Sequence, residues 1–106
     1  MLRAVLLAAS VVMSCPAAAG FLTGGKLVEM CRIDETICGV YIIGSIDMVL
    51  LIGEAQNKKF ICLPELMVHK QASATVRKYL EDNPQLWHLN AAGLVSAALN
   101  EYYKCP

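Results

Sequence analysis

Cysteine and histidine are the residues of this chain that could carry covalent or metal chemistry. There are five cysteines and two histidines: Cys15, Cys31, Cys38, Cys62, Cys105, His69 and His88. A nucleophilic cysteine needs a nearby base, and a zinc site needs closely spaced pairs of ligands. The cysteine spacing contains no such pairs, and neither histidine lies in a catalytic signature, so we expect both to be exposed. We therefore predict no catalytic residue, no metal, no cofactor and no enzymatic activity.

The N-terminus has the pattern of an export signal. One arginine precedes an apolar run from Ala4 to Met13, and three alanines follow at residues 17–19. This pattern predicts a secretory signal peptide over residues 1–19, cleaved before Gly20. The apolar run is too short for a membrane-spanning helix. In an alternative interpretation, Val12-Met-Ser-Cys15 is a lipobox that leaves a lipidated Cys15, although Met13 and Pro16 fit that motif poorly.

Cleavage of the signal peptide would change the number of cysteines in the chain from odd to even. Removing residues 1–19 leaves an even number of cysteines in a small exported chain, and this indicates a disulfide framework. Three pairings are possible. Cys31 and Cys38 are close in sequence and bracket a turn, so they pair most naturally and leave Cys62 to pair with Cys105. The second disulfide closes a long loop, which is worth about 3–5 kcal/mol of stability through the unfolded state.

Composition excludes several classes of partner. Lys+Arg and Asp+Glu number 9 each, so the loss of Arg3 with the signal peptide leaves a net charge of about −1. A basic stripe for nucleic acid is missing, as is a polybasic segment for anionic lipid. We expect no nucleic-acid partner and no membrane association after cleavage. Without a repeat or a linker, residues 20–106 are expected to form one domain.

Hydrophobic periodicity is helical along the exported chain. It predicts helices over about residues 24–32, 37–56 and 68–80, and a last helix that follows Asn90. Thr23 and Asn90 are suitable N-caps, and the polar stretch "RIDET" is expected to form an exposed turn between the first two helices. The predicted fold class is all-α, a small four-helix domain stapled by two disulfides.

The second predicted helix is unusual because it is apolar almost all round. The stretch "ICGVYIIGSIDMVLLIGEAQ" has the composition of a central buried helix or of a membrane span. Asp47 in its middle, and its glycines, favour a central helix against which others pack. A β interpretation of "VYII" and "MVLLI" is disfavoured because no turn signal separates them. Asp47 is expected to be partly buried and paired.

Three stretches in fixed order carry a family resemblance: "CRIDETICGVYIIGSID", "FICLPE" and "VRKYLEDNPQLWHLNAAGLVSAALNEYYKCP". The matching positions are Cys31, Cys38, Gly39, Tyr41, Gly44, Cys62, Leu63, Pro64, Tyr79, Leu80, Asn83, Pro84, Ala92, Cys105 and Pro106. Together they span about residues 26–106. The chain resembles the Rap/Tai family of periplasmic immunity proteins, which neutralise peptidoglycan amidases delivered by type VI secretion.

The resemblance implies a periplasmic, homodimeric protein that blocks the active-site groove of a secreted cell-wall amidase by steric occlusion. No effector-binding residue transfers by motif. We therefore choose partner-binding candidates on two loops from their expected exposure alone. They are Lys58 and Lys59 on one loop, and Asp82, Gln85, Trp87 and His88 on the other. Trp87 is the proposed anchor, and its alternative role is a lid on the core. The alternative function is a periplasmic helical binding or chaperone-like protein with no toxin partner.

Overall fold

The computed structural model describes residues 20–106, which form four α-helices and one short 3₁₀-helix. The helices are α1 (Gly24–Ile33), α2 (Glu35–Ala55), α3 (His69–Asp82) and α4 (Ala91–Tyr102), with the 3₁₀-helix over Pro84–Leu86. The all-α prediction is confirmed. The β interpretation of α2 is wrong, and the β-structure within residues 20–106 is an isolated bridge between Thr23 and Asn90. The predicted signal peptide and Cys15 lie outside the described residues.

Side-chain caps begin three of the helices. The Thr23 hydroxyl accepts a hydrogen bond from the Lys26 amide at 3.2 Å, and the Asn90 side chain accepts one from the Gly93 amide at 3.0 Å. Asp34 alone separates α1 from α2, so the turn predicted over "RIDET" is shorter than expected. The reason is that Asp34 serves both helices: its amide donates to the carbonyl of Met30, and its carboxylate caps the start of α2.

The core contains one apolar stripe from each helix. Its large aliphatic side chains that are fully buried are Leu27, Ile42, Val76, Leu80, Val95 and Leu99. Burying an aliphatic side chain of this size contributes roughly 1.5–3 kcal/mol. Ile61, from the long α2–α3 connection, is also buried in this cluster. The core therefore anchors the middle of this connection.

Two disulfides link the ends of the helices. Cys31–Cys38 joins the end of α1 to the start of α2, with a Cα–Cα distance of 4.6 Å. Cys62–Cys105 joins the α2–α3 connection to the segment after α4, with a Cα–Cα distance of 4.9 Å. Both predicted pairings are confirmed.

Helix α2 is buried on one face only. Cys38, Ile42 and Ile46 point into the core, and α1, α3 and α4 all contact this helix. The opposite face stays exposed, because three short neighbours cover only one side of a helix of this length. The prediction of a central buried helix is therefore wrong for the outer face. By length and composition α2 could cross a membrane, a property that it shares with core helices of soluble proteins.

Asp47 lies on this exposed face. Its carboxylate has no hydrogen-bond or ion-pair partner within residues 20–106, so the prediction that it is partly buried and paired is wrong. The physical reason is orientation: Ile46, its neighbour, points inward, and a residue one position further along a helix is rotated by about 100°.

Candidate functional site

The predicted partner-binding residues lie on or beside two loops. We call them the α2–α3 loop (residues 56–68) and the α3–α4 loop (residues 83–90), and Asp82 is the last residue of α3. The Arg77–Glu35 ion pair is 3.2 Å long, and a Cβ at Gly39 would lie 3.8 Å from the Ser73 hydroxyl, so α2 and α3 run antiparallel. Within residues 20–106, no hydrogen bond or ion pair joins the two lysines of the first loop to the candidates of the second.

Backbone hydrogen bonds hold the α3–α4 loop against the start of α1. The amides of Gly24 and Gly25 donate to the carbonyls of Leu89 and Trp87 at 2.8 and 2.9 Å, and the Ala91 amide donates to Leu22 at 2.9 Å. The first amides of a helix lack partners within the helix. By satisfying two of them, the loop becomes a fixed part of the scaffold.

The Trp87 side chain is held against α3 and α1. Its indole N–H donates to the carbonyl of Leu80 at 2.7 Å, and the Arg32 guanidinium lies 5.5 Å from the ring centroid. A Cβ at Gly25 would lie 3.5 Å from that of Trp87, so the two segments are in contact. Trp87 also packs against the core. These contacts favour the lid alternative over the anchor, and the anchor role stays a prediction.

Asp82, which precedes this loop, already has a partner. Its carboxylate accepts a hydrogen bond from the Lys78 ammonium at 2.8 Å. This hydrogen bond, followed by the Coulombic attraction of the same carboxylate, raises the pKa of Lys78 above its ordinary value. Gln85 donates to the side chain of Asn83 at 3.1 Å. Both candidates are exposed, but each already has a partner within the chain.

His88 and Leu89 are two exposed side chains of this loop that remain available to a partner. His88 is exposed, as expected, and makes no hydrogen bond or ion pair with another residue in the described range 20–106. Leu89 is 43% exposed. The sequence analysis missed Leu89. Its position could have drawn attention to it. An apolar residue immediately before an N-cap either packs on the helix that follows or stays exposed as a possible contact.

A tight turn presents the two lysines of the α2–α3 loop. The Lys58 amide donates to the carbonyl of Gly53 at 2.8 Å, and Asn57 has a positive φ of 53°. A Cβ at Gly53 would lie 2.6 Å from the Lys58 carbonyl oxygen, so this turn requires glycine there. Lys58 and Lys59 are exposed, as predicted. Phe60, which the sequence analysis did not select, is 43% exposed beside them.

The second half of this loop is attached to the end of α4. The Cys62 amide donates to the carbonyl of Tyr103 at 2.9 Å, and the disulfide to Cys105 reinforces the same junction. The Tyr103 hydroxyl shares a hydrogen bond of 2.9 Å with Thr75 on α3. Beyond this junction Leu66 is 95% exposed, which makes the loop tip a second apolar contact point.

The surface formed by residues 20–106 has features that suit contact with a protein partner. No three His, Cys, Asp or Glu side chains of residues 20–106 come together as metal ligands. A groove of about 390 Å³ runs between α2 and α3 and includes His69, Lys70 and Arg77 in its lining. The chemistry available is therefore that of exposed apolar and cationic side chains on rigid supports.

One comparison with known proteins gives a match. A family model described as Rap1a immunity proteins matches residues 23–105. Neither the curated proteins nor the solved structures contain a match. The matched range covers all four helices, both disulfides and both loops.

Proposed function

This chain belongs to the Rap1a immunity protein family, and we propose that it protects the producing cell by binding and blocking a peptidoglycan amidase effector. The observation that carries the proposal is the family match over nearly the whole described domain. The predicted signal peptide over residues 1–19 supports a periplasmic location, where an enzyme that cuts peptidoglycan acts. The protein works by binding, without a catalytic step of its own.

Steric occlusion needs a part of the inhibitor that keeps its shape when it enters a groove. The α3–α4 loop meets this need, because its backbone is already hydrogen-bonded to α1 and little ordering entropy remains to be lost on binding. We propose that it enters the active-site groove through His88 and Leu89. Both side chains are exposed at the surface of the loop.

The α2–α3 loop would have a different task. Lys58 and Lys59 are exposed charges on a tight turn, and charges at the rim of an interface act mainly on the rate of association. In this proposal a single amidase groove takes one of the two loops. As the family resemblance implies, we expect a homodimer, in which the second loop could contact an amidase bound to the other copy.

The direct test is inhibition of an amidase encoded beside the gene. Residues 20–106, with both disulfides formed, would be titrated into the amidase while the release of peptide from peptidoglycan is followed. We expect inhibition that is complete near one domain per amidase. An amidase from an unrelated effector family is the control and should remain active. Full activity of the neighbouring amidase at saturating protein would contradict the proposal.

The alternative of a chaperone-like binding protein draws on one observation, the exposed apolar face of α2. A protein of this kind would slow the aggregation of an unfolded client and leave amidases active. An aggregation assay run beside the inhibition titration separates the two functions. Suppressed aggregation without inhibition would favour the alternative.

A further inference from the structure

The groove between α2 and α3, which we call the interhelical groove, is lined by residues of these two helices and by neither candidate loop. Its volume of about 390 Å³ lies in the range of ligand sites in proteins. Small residues face each other at its middle, where a Cβ at Gly39 would lie 3.8 Å from the Ser73 hydroxyl. From Glu35 to Ile43 its α2 wall is about 12 Å long, at the helical rise of about 1.5 Å per residue.

Positive charge lies at both ends of the interhelical groove. Lys70 and Arg77 are seven residues apart, so they lie on the same face of α3 and about 10 Å apart along its axis. Lys70 forms no ion pair within residues 20–106. Glu35 is the one acidic residue of the lining. The groove therefore has an excess of positive charge, in a domain whose net charge is about −1.

The Arg77 guanidinium still has donors for a ligand. Its Nη1 donates to the Glu35 carboxylate at 3.2 Å, and it makes no second hydrogen bond within residues 20–106. A guanidinium has about five N–H donors, so most of them are available. The Glu35 side chain is 85% exposed, and water therefore competes for its carboxylate. An incoming carboxylate can bind Arg77 beside Glu35 or in its place.

Hydroxyl and apolar groups complete the lining of the groove. The hydroxyls of Ser73 and Thr36 make no hydrogen bond with another residue of the described range 20–106. On the same helix as Ser73, by contrast, the Thr75 hydroxyl donates to a backbone carbonyl at 3.0 Å. Val40 and Ile43 form an apolar wall. The groove thus offers hydrogen bonds to a polar backbone and contact to an apolar side chain.

An extended acidic peptide matches these features. In the polyproline II conformation, which short unfolded chains populate, side chains three residues apart lie on the same face and about 9 Å apart. This separation is close to that of Lys70 and Arg77 along α3. The conformation has no internal hydrogen bonds, so its backbone groups are free to meet the hydroxyls of Ser73 and Thr36. We infer that the interhelical groove binds an extended segment of a partner protein that carries two carboxylates three residues apart.

The size of the groove favours a segment over the surface of a folded domain. A wall of about 12 Å accommodates about four residues in the polyproline II conformation, at about 3.1 Å each. A folded partner in a standard interface would instead bury about 800 Å² of this protein. Because neither candidate loop lines the groove, a bound segment leaves both loops free. The site is therefore separate from the amidase contact of the proposed function.

Peptide titration followed by NMR tests the spacing of the carboxylates. The probe is the peptide Asp-Ala-Ala-Asp with both ends blocked, and its control is the isomer Asp-Asp-Ala-Ala, which has the same composition and charge. We expect the probe to bind residues 20–106 in the millimolar range, because exposed ion pairs are individually weak. The amide signals of Gly39, Ser73 and Arg77 should shift. The isomer should bind about threefold more weakly, since it reaches one cation at a time. Equal affinities, or no saturable shift at these residues, would overturn the inference.

Matched charge substitutions test the residues of the groove. Lys70→Gln should weaken binding of the probe about threefold, whereas Lys58→Gln removes the same charge from an exposed turn outside the groove and should change it little. Glu35→Gln should strengthen binding about twofold, because it leaves the Arg77 guanidinium to the peptide. Glu54→Gln, at an exposed acid outside the groove, is its control. Weaker binding by Glu35→Gln, or equal effects of the two lysine variants, would overturn the inference.

Amidase inhibition separates this site from the proposed function. Lys70→Gln should inhibit the amidase as strongly as the wild type does, because the groove lies outside both loops. Weaker inhibition by Lys70→Gln would make the groove part of the amidase interface and overturn a separate peptide site. The peptide titration needs no amidase. If the wild type failed to inhibit the amidase but bound the probe, the proposed function would fail and the peptide site would stand.

Discussion

The two loops that carry the candidate residues are fixed in position by different means. The α3–α4 loop is short and lies against the start of α1, where the first backbone amides of that helix donate hydrogen bonds to carbonyls of the loop. The α2–α3 loop is longer and meets no helix terminus of this kind, and a disulfide attaches it to the end of α4. The α3–α4 loop is thus held by hydrogen bonds and packing, whereas the α2–α3 loop has a disulfide in addition to its hydrogen bonds. Stability and binding should therefore respond differently to changes in the two loops.

The largest effect is expected from the covalent attachment. Replacing both Cys62 and Cys105 by alanine should lower the free energy of unfolding by about 4 kcal/mol, because their disulfide closes a sequence separation of 43 residues. Replacing Cys31 and Cys38, separated by 7 residues, should cost only about 2.4 kcal/mol. Urea denaturation of the two double variants measures both values. If the short-loop variant were the less stable, the assignment of the main stabilisation to the α2–α3 loop would be wrong.

Trp87 gives the next largest effect. Because its ring covers the core and its N–H donates to Leu80, Trp87→Ala should lower the free energy of unfolding by about 2–3 kcal/mol. Trp87→Phe keeps most of the ring, loses the N–H and should cost about 1 kcal/mol. Thermal melting and amidase inhibition would be measured together. An unchanged melting temperature with inhibition at least tenfold weaker would instead establish Trp87 as the anchor.

A third comparison tests which of the two loops enters the amidase groove. His88→Ala and Lys59→Ala remove exposed side chains, and each should change the free energy of unfolding by less than about 0.5 kcal/mol. We expect His88→Ala to weaken inhibition about tenfold, or about 1.4 kcal/mol. Lys59→Ala should mainly slow association, and more at low salt than at high salt. The reverse pattern would mean that the α2–α3 loop enters the groove.

The smallest effect is expected for the ion pair between Lys78 and Asp82, beside the α3–α4 loop. The pKa of Lys78 is raised by its hydrogen bond to Asp82. A raised pKa in the fold means that the stabilisation is present below the unfolded value, about 10.4, and is lost as the pH rises through the folded value. Asp82→Asn should therefore differ slightly from the wild type at pH 8, and the difference should vanish as the pH rises through the folded pKa of Lys78. Since Lys78 is solvent-exposed, chemical denaturation should show only a small shift. A difference that persists after Lys78 has lost its proton would assign the effect to another group.

The sequence correctly predicted those features of the fold that depend on hydrophobic periodicity and helix capping. In α3, Val76 and Leu80 are buried and Lys78 is exposed, as expected, because apolar and polar residues alternate with the helical period. In α2 nearly every position is apolar, so the sequence contained no information about which face its neighbours would cover. The disulfide pairing followed from spacing, and it is confirmed.

The candidate loops illustrate the same limit. The exposure of Lys58, Lys59 and His88 was predictable, because charged or polar side chains in a connection remain in water. The environment of Trp87 was not, since its contacts come from Arg32 and Gly25, more than fifty residues earlier in the chain. Only tertiary structure brings those residues together.

Asp47 has a consequence for the proposed export of the chain across the membrane before it folds. Proposed export takes the unfolded chain through a membrane channel, and there α2 is an apolar segment long enough to be retained in the bilayer. An acidic residue near the centre of such a segment opposes lateral insertion by about 2.5–3.5 kcal/mol. A carboxylate without a partner in the folded domain would thus act during translocation, by keeping α2 moving into the periplasm when the lipid could otherwise hold it.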